Sequence, residues 1–233
     1  MPNPADALVY YVVFLLSTTL HEAAHAWVAA RGGDRTAYHG GQVSLNPIPH
    51  IRREPIGMVL LPLLSALTLG WPFGYASAPY DIHWARRHPR RAGMMALAGP
   101  AANLALVLLA ATLIRVGVAA GFFHAPPTVR FGQIVDTTAG ALWPATAHLL
   151  GVVFSLNLLL CVFNLLPFPP LDGSGALPLV MSSAATRRYQ EFIWGNPMLS
   201  WIGLVVAWRL FDVVFHPLFF RALSCLYPGV TYS

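Results

Sequence analysis

Residues 8–30 read LVYYVVFLLSTTLHEAAHAWVAA, an apolar run that carries His21, Glu22 and His25 in its second half. About 20 apolar residues cross the ~30 Å hydrocarbon core as a helix, so the stretch predicts a membrane span. His21-Glu22-Ala23-Ala24-His25 has the pattern H-E-x-x-H. On a helix the two histidines share one face, one turn apart, a spacing that fits two ring nitrogens on one zinc ion. Glu22 is offset by one position and can reach water on the open side of that ion as a general base. An ionisable residue at bilayer depth costs roughly 2.5–3.5 kcal/mol on insertion scales, so three together mark a functional site.

The rest of the chain has the same character. Hydrophobic residues make up 56% of the 233 residues and charged residues 10%, with a mean hydropathy of +0.58. Soluble domains carry about 25% charge, so the composition predicts an all-α polytopic membrane protein, with residues 1–233 as a single membrane-embedded domain. Apolar spans are expected at about 7–30, 93–115, 141–166 and 197–215, with a shorter apolar stretch at 57–70. In the last span, Arg209 and Asp212 stand at i, i+3, where they can pair. A short interfacial helix is expected at 216–226, after His216-Pro217. The N-terminus, with Asp6 and no basic region, does not read as a cleavable signal.

The net charge of +5 comes from Arg alone, since the chain has no Lys. These residues cluster beside apolar spans, where membrane topology explains them, and this argues against nucleic-acid binding. Cys161 and Cys225 have apolar neighbours and form no C-x-x-C pair. Neither a disulfide framework nor a thiolate zinc site is indicated.

The stretch 56–70 decides the topology. At about 15 residues it is short for a span, and it is bounded by Pro55 and by Gly70-Trp71-Pro72. If it spans, Arg31, Arg35, Arg52 and Arg53 lie across the membrane from Arg86, Arg87, Arg90 and Arg91. If it enters and returns, all of these share one side with Arg187 and Arg188, and the loop 116–140 holds only Arg130. The second arrangement satisfies the positive-inside rule, so a re-entrant segment at about 56–80 is expected, with the H-E-x-x-H motif toward the cytoplasmic side. His148 then falls near the outer end of its span, far from the motif. His39, His50, His83 and His88 read as interfacial.

A catalytic zinc needs a third protein ligand. The third long span ends in Asn164-Leu165-Leu166-Pro167-Phe168-Pro169-Pro170-Leu171-Asp172-Gly173. The prolines break the helix, and Asp172 can swing onto the metal from there. Asp-Gly is also common turn chemistry, so the residues alone leave both readings open.

Taken together, H-E-A-A-H in the first span, Ala98-Gly99-Pro100-Ala101-Ala102-Asn103 in the second and N-x-x-P-x-P-x-L-D-G ending the third resemble the site-2 protease family of intramembrane zinc metalloproteases. Gly40-Gly41-Gln42-Val43-Ser44-Leu45-Asn46-Pro47 and Pro55-Ile56-Gly57 are similar to its short bacterial branch, which lacks PDZ and CBS domains. The resemblance implies a three-helix catalytic core plus a re-entrant segment with a short edge strand and a C-terminal helix. It also implies one catalytic zinc ion on His21, His25 and Asp172, with Glu22 activating water.

Asn164 is expected either to bond substrate backbone or the developing oxyanion, or to satisfy backbone freed by Pro167. Asn103 reads either as a substrate contact or as packing and capping. Ser17, Thr18 and Thr19 either wet the site or bond back onto their own helix. The edge strand is expected at 73–79, where Tyr75, Ala76 and Ser77 would bind an unwound substrate by strand addition. Here the chain departs from the Lys-bearing stretch usual in the family, reading Gly74-Tyr75-Ala76-Ser77-Ala78-Pro79-Tyr80.

The implied partners are a transmembrane-helix protein substrate and membrane lipid, in a bacterial inner membrane. A different membrane zincin would need a downstream Glu as third ligand, and only Glu54 and Glu191 remain. The other alternative is a non-catalytic membrane scaffold or helix-binding pseudoprotease, which has no need of Glu22.

Overall fold

The computed structural model describes residues 3–140, 142–230 and 232. Among these, the chain is helical and forms no named strand, only the isolated bridges His124–Asp136 and Arg130–Gln133. Its elements are α1 (Pro4–Gly32), α2 (Thr36–His39), α3 (Pro47–Arg53), a π-helical turn (Ile56–Leu60) running into α4 (Leu61–Leu69), α5 (Ile82–Arg87), α6 (Pro89–Ala119), α7 (Trp143–Asn164), α8 (Asp172–Ala176), α9 (Ser183–Gly195) and α10 (Met198–Leu226). Among the described residues, α1, α6, α7 and α10 are long and apolar enough to cross a membrane.

Helix α1 begins where Asn3 accepts a hydrogen bond from Ala5 N (3.0 Å) with Pro4 in the first turn, and it stops at Gly33, whose φ of 103° suits glycine. Its buried face at the site end is small: Ala26 and Ala29 are fully buried, and α6 is the main neighbour of α1. Without a hydrophobic drive between helices in lipid, such small residues let backbones approach closely. Nearer the N-terminus, Tyr10, Val13 and Phe14 pack on Val152 and Leu156 of α7. A second cluster joins α6, α7, α10 and the loop 120–142 through Ile114, Phe154, Ile134 and Phe215. The outward faces carry exposed Leu8, Leu16, Leu108, Trp201 and Val213, as surfaces that meet lipid do.

The stretch after α3 enters the bundle and comes back. Gly70 ends α4 with a φ of 83°. Beyond it, Phe73 N donates to Ser65 Oγ (2.7 Å) and Tyr75 N donates to Gly57 O (3.1 Å). A Cβ on Gly57 would overlap Tyr75, and one on Gly74 would overlap Gly57 O and the Phe14 ring, so both glycines permit this close approach. The return is then tied to the outgoing limb: Ser77 Oγ donates to Glu54 Oε1 (2.5 Å), and Arg53 Nε donates to Ser77 Oγ (3.1 Å). The segment therefore leaves and rejoins the same end of the bundle. The expected edge strand takes a different form: 71–81 runs without regular structure and pairs with no strand among the described residues.

Two expectations for the C-terminal region need correction. Helix α10 continues through Pro217 to Leu226 as one helix, in place of a span followed by an interfacial helix. Phe215 and Phe219, on either side of the proline, both pack against Phe131, which holds the helix together where one backbone N–H is missing. Arg209 and Asp212 do not form an ion pair, although His148 Nε2 lies 3.4 Å from Asp6 Oδ1, far from the histidine motif as expected.

Candidate metal centre

On α1, His21 and His25 meet edge to face with ring centroids 4.6 Å apart. Each ring is held by its Nδ1. For His21 the partner is Asn103 Oδ1 (2.6 Å), and for His25 it is the Met95 carbonyl (2.7 Å). Asn103 Nδ2 donates to Asn157 Oδ1 (2.9 Å), and Asn157 Nδ2 donates to Ser17 Oγ (3.0 Å) and Val153 O (2.8 Å). This network makes Asn103 Oδ1 an acceptor, and a carbonyl can only accept. Both histidines therefore carry a proton on Nδ1, which leaves Nε2 as the ring atom that can face a metal.

Those ring atoms converge. The two Nε2 atoms are 3.0 Å apart. Asp172 Oδ2 lies 3.1 Å from His21 Nε2, and Asp172 Oδ1 lies 3.3 Å from His25 Nε2. Atoms of this kind packed this closely need positive charge among them, and a metal cation bound by both Nε2 atoms and the Asp172 carboxylate supplies it. Asp172 Oδ2 has no hydrogen-bond partner. A tetrahedral zinc with bonds of about 2.0–2.1 Å separates its ligands by roughly 3.3 Å, so the triangle fits that ion. A Cβ on Gly99 of α6 would overlap the Nε2 atoms of both histidines, so Gly99 keeps that position open.

Asp172 reaches the histidines because α8 folds back onto the end of α7. A Cβ on Gly173 would overlap the carbonyls of Leu165 and Leu166, so glycine permits the tight return. Gly203 of α10 packs on the Pro169 carbonyl and braces the turn from outside. Glu22 also lies near the histidines, its carboxylate within 4.8 Å of their ligand atoms. Two carboxylates therefore flank the pair. Asp172 is the closer and completes the triangle, which leaves Glu22 outside it, without a hydrogen-bond or ion-pair partner among the described residues.

A cavity of about 340 Å³ opens beside this centre. Glu22, His25 and Asp172 line it, along with Ala76, Ser77 and Ala78 of the return segment and Gln190 of α9. The structure thus brings Ala76 and Ser77 to the site, while Tyr75 packs at Gly57 next to it. Two asparagines stand away from the cavity, Asn103 in the packing role that the sequence left open and Asn164 in neither of the roles expected for it. Asn103 is fully buried behind His21 with both ends of its amide engaged, so no free amide group of it faces the cavity. Asn164 donates to Leu160 O (3.0 Å), one turn back in α7, and does not line the cavity. Thr18 and Thr19 bond back to Phe14 O and Leu15 O, whereas Ser17 serves Asn157.

Sequence reasoning missed Asn157 and Met95 O, and it quoted Gly99 in a motif without placing it against the histidines. A polar Asn157 inside an apolar span was the available signal for the first. Gln42 was quoted only within a motif, yet its Nε2 donates to Ser77 O (3.0 Å) and so holds the return segment beside the cavity.

A sequence model of peptidase family M50 matches residues 9–205. The chain belongs to peptidase family M50. It is a zinc metalloprotease of that family, with four helices suited to a multi-pass membrane protein. Among curated proteins, "Putative zinc metalloprotease YwhC" of Bacillus subtilis is 35% identical, over 92% of this chain and 96% of its own length. "Putative zinc metalloprotease Rip2" of Mycolicibacterium smegmatis is 30% identical over 89% of this chain and 68% of its own. "Putative zinc metalloprotease Rip3" of Mycobacterium tuberculosis is 28% identical over 87% of this chain and 36% of its own. No solved structure matches the chain.

Proposed function

We propose that this M50 protein is an intramembrane endopeptidase, a single membrane-embedded domain that hydrolyses peptide bonds within or next to transmembrane helices of other membrane proteins, in regulated proteolysis. One observation carries the reading: His21 and His25, two of the three acceptor residues, lie within the apolar helix α1. His21 and His25 lie about 9–15 Å along the α1 axis from Arg31. Arg31 stacks on exposed Trp27 (5.3 Å), a pairing suited to the membrane–water interface. A site at that depth meets substrates that are themselves in the membrane.

The Arg distribution supports a cell-membrane location with the site toward the cytoplasm. Arg31, the α3 pair Arg52 and Arg53, the α5 pair Arg86 and Arg87, and Arg90 and Arg91 at the start of α6 all lie at the end nearest the site.

His21, His25 and Asp172 would hold one zinc ion, which supplies Lewis acidity toward the scissile carbonyl and makes water nucleophilic near neutral pH. Glu22, unpartnered and facing the cavity, takes the proton of the attacking water and passes it to the leaving amine. The return segment at 76–78 offers backbone groups to an unwound substrate, replacing helix bonds whose loss in lipid costs several kcal/mol each.

The test measures zinc content and cleavage of a reconstituted transmembrane substrate. Glu22→Gln is expected to retain zinc and lose cleavage, and Asp172→Asn to bind zinc more weakly. Full cleavage by Glu22→Gln would refute the assignment.

A further inference from the structure

The cavity has a second wall, and one polar residue on it has no hydrogen-bond partner among the described residues. Helix α9 starts at Ser182, whose Oγ accepts from Ala185 N (3.3 Å). It is fastened to α8 by Tyr189, whose hydroxyl donates to Ser174 O (2.9 Å), two residues beyond Asp172. Arg187, Arg188 and Glu191 face outward and are exposed. On the inner face, Thr186 and Gln190 are buried one turn apart, and Ile193 and Trp194 continue the cavity lining.

Gln190 is 7% exposed and lines the cavity that contains Glu22, His25 and Asp172. Its carboxamide makes no hydrogen bond to any described residue. Unlike Asp172 Oδ2, its amide nitrogen and oxygen are not sealed away, and they open onto the cavity. The cavity is the direction left open to it.

We propose that Gln190 is a substrate-positioning residue whose carboxamide hydrogen-bonds the unwound main chain of the substrate beside the scissile bond. The inference rests on the intramembrane-protease reading and names how the far side of the substrate is satisfied. An extended chain directs its N–H and C=O groups to both sides. The return segment can pair with one side only, and two of its own groups are already used: Ser77 O by Gln42 and Tyr75 N by Gly57 O. Substrate groups pointing away from it would be unpaired in an apolar space. Gln190 offers one acceptor and one donor there, independent of substrate side chains.

The test uses a synthetic transmembrane peptide that the wild-type enzyme cleaves in detergent, and a set of the same peptide with single ester bonds in place of amides flanking the scissile bond. Gln190→Leu, with Gln190→Met as a second apolar variant, is expected to keep full zinc content and lose about tenfold in kcat/KM. One ester peptide should be cut more slowly by the wild type but no more slowly than the parent peptide by Gln190→Leu. Equal ester penalties in both enzymes, or unchanged cleavage by both variants, would overturn the role of Gln190 while leaving proteolysis intact. A zinc-loaded wild type that cleaves no transmembrane peptide would instead remove the reading on which it rests.

Discussion

Asn103 Oδ1 accepts a hydrogen bond from His21 Nδ1 at 2.6 Å, and it can do so because the other end of the same amide is committed to Asn157. The amide orientation decides the histidine tautomer, and the tautomer decides whether Nε2 has a lone pair for metal. The links act in series. Asn103→Ala is therefore expected to weaken zinc binding by about 10–100-fold, and Asn157→Ala by less. Adding Asn157→Ala to Asn103→Ala should cost little more, because the chain is already broken. Competition against a zinc chelator reads all three, and additive losses would contradict the series arrangement.

Gly99 separates metal binding from folding. Alanine is the better helix former by about 1 kcal/mol, so Gly99→Ala places no burden on α6 as a helix. Its methyl group would, however, overlap both Nε2 atoms. The expected outcome is a variant with wild-type helix content by circular dichroism, no bound zinc and no activity. A zinc-replete Gly99→Ala would show that the histidines can retreat and that the space beside Gly99 is not the metal position.

The return of 71–77 to Glu54 has a topological consequence. With Cys161 and Cys225 replaced by Ser, single cysteines at Arg52 and Ile82, both exposed, should react with an impermeant thiol reagent from the same side of the membrane. A cysteine at exposed Thr128, in the loop between α6 and α7, should react from the other side. In intact cells the first two are expected to stay protected and the third to label. Labelling of Arg52→Cys and Ile82→Cys from opposite faces would mean that 56–70 spans.

The long helices were legible because each is an apolar run of bilayer length, and the histidine pair because His21 and His25 repeat at one helical turn; Asp172, which the residues alone left open between ligand and turn, came only through the family resemblance. The tethering polar residues were not legible. Asn157 and Gln42 are single polar residues with no periodic signal, and their tertiary partners lie 35–140 residues away in sequence; the same lack of signal hid Gln190. Asn103 was visible as polar, but its spacing from His21 says nothing of contact. The proline in α10 was over-read as a stop because the local rule ignores the aromatic packing of Phe215 and Phe219 that carries the helix past it. The segment 73–79 has the composition of an extended chain, yet strand formation requires a partner, and no described strand lies beside it.

Gln42 tests whether that segment must be held in place for the enzyme to work. It is 2% exposed and touches neither the histidines nor Asp172; its Nε2 fixes the Ser77 carbonyl, while the Ser77 hydroxyl is fixed separately by Glu54. Gln42→Leu removes one of these two attachments and leaves a part-buried carbonyl without its donor, a loss of about 1 kcal/mol. Gln42→Glu, when ionised, sets a second acceptor against that carbonyl and should do more harm. Both variants are expected to keep their zinc, because the metal-binding atoms are untouched. Cleavage should fall by about 5–30-fold in Gln42→Leu, mainly through KM, since the substrate meets a less ordered wall before any chemistry begins. A purely structural role would lower thermal stability and zinc content together. Unaltered cleavage in both variants would mean that the return segment does not guide the substrate.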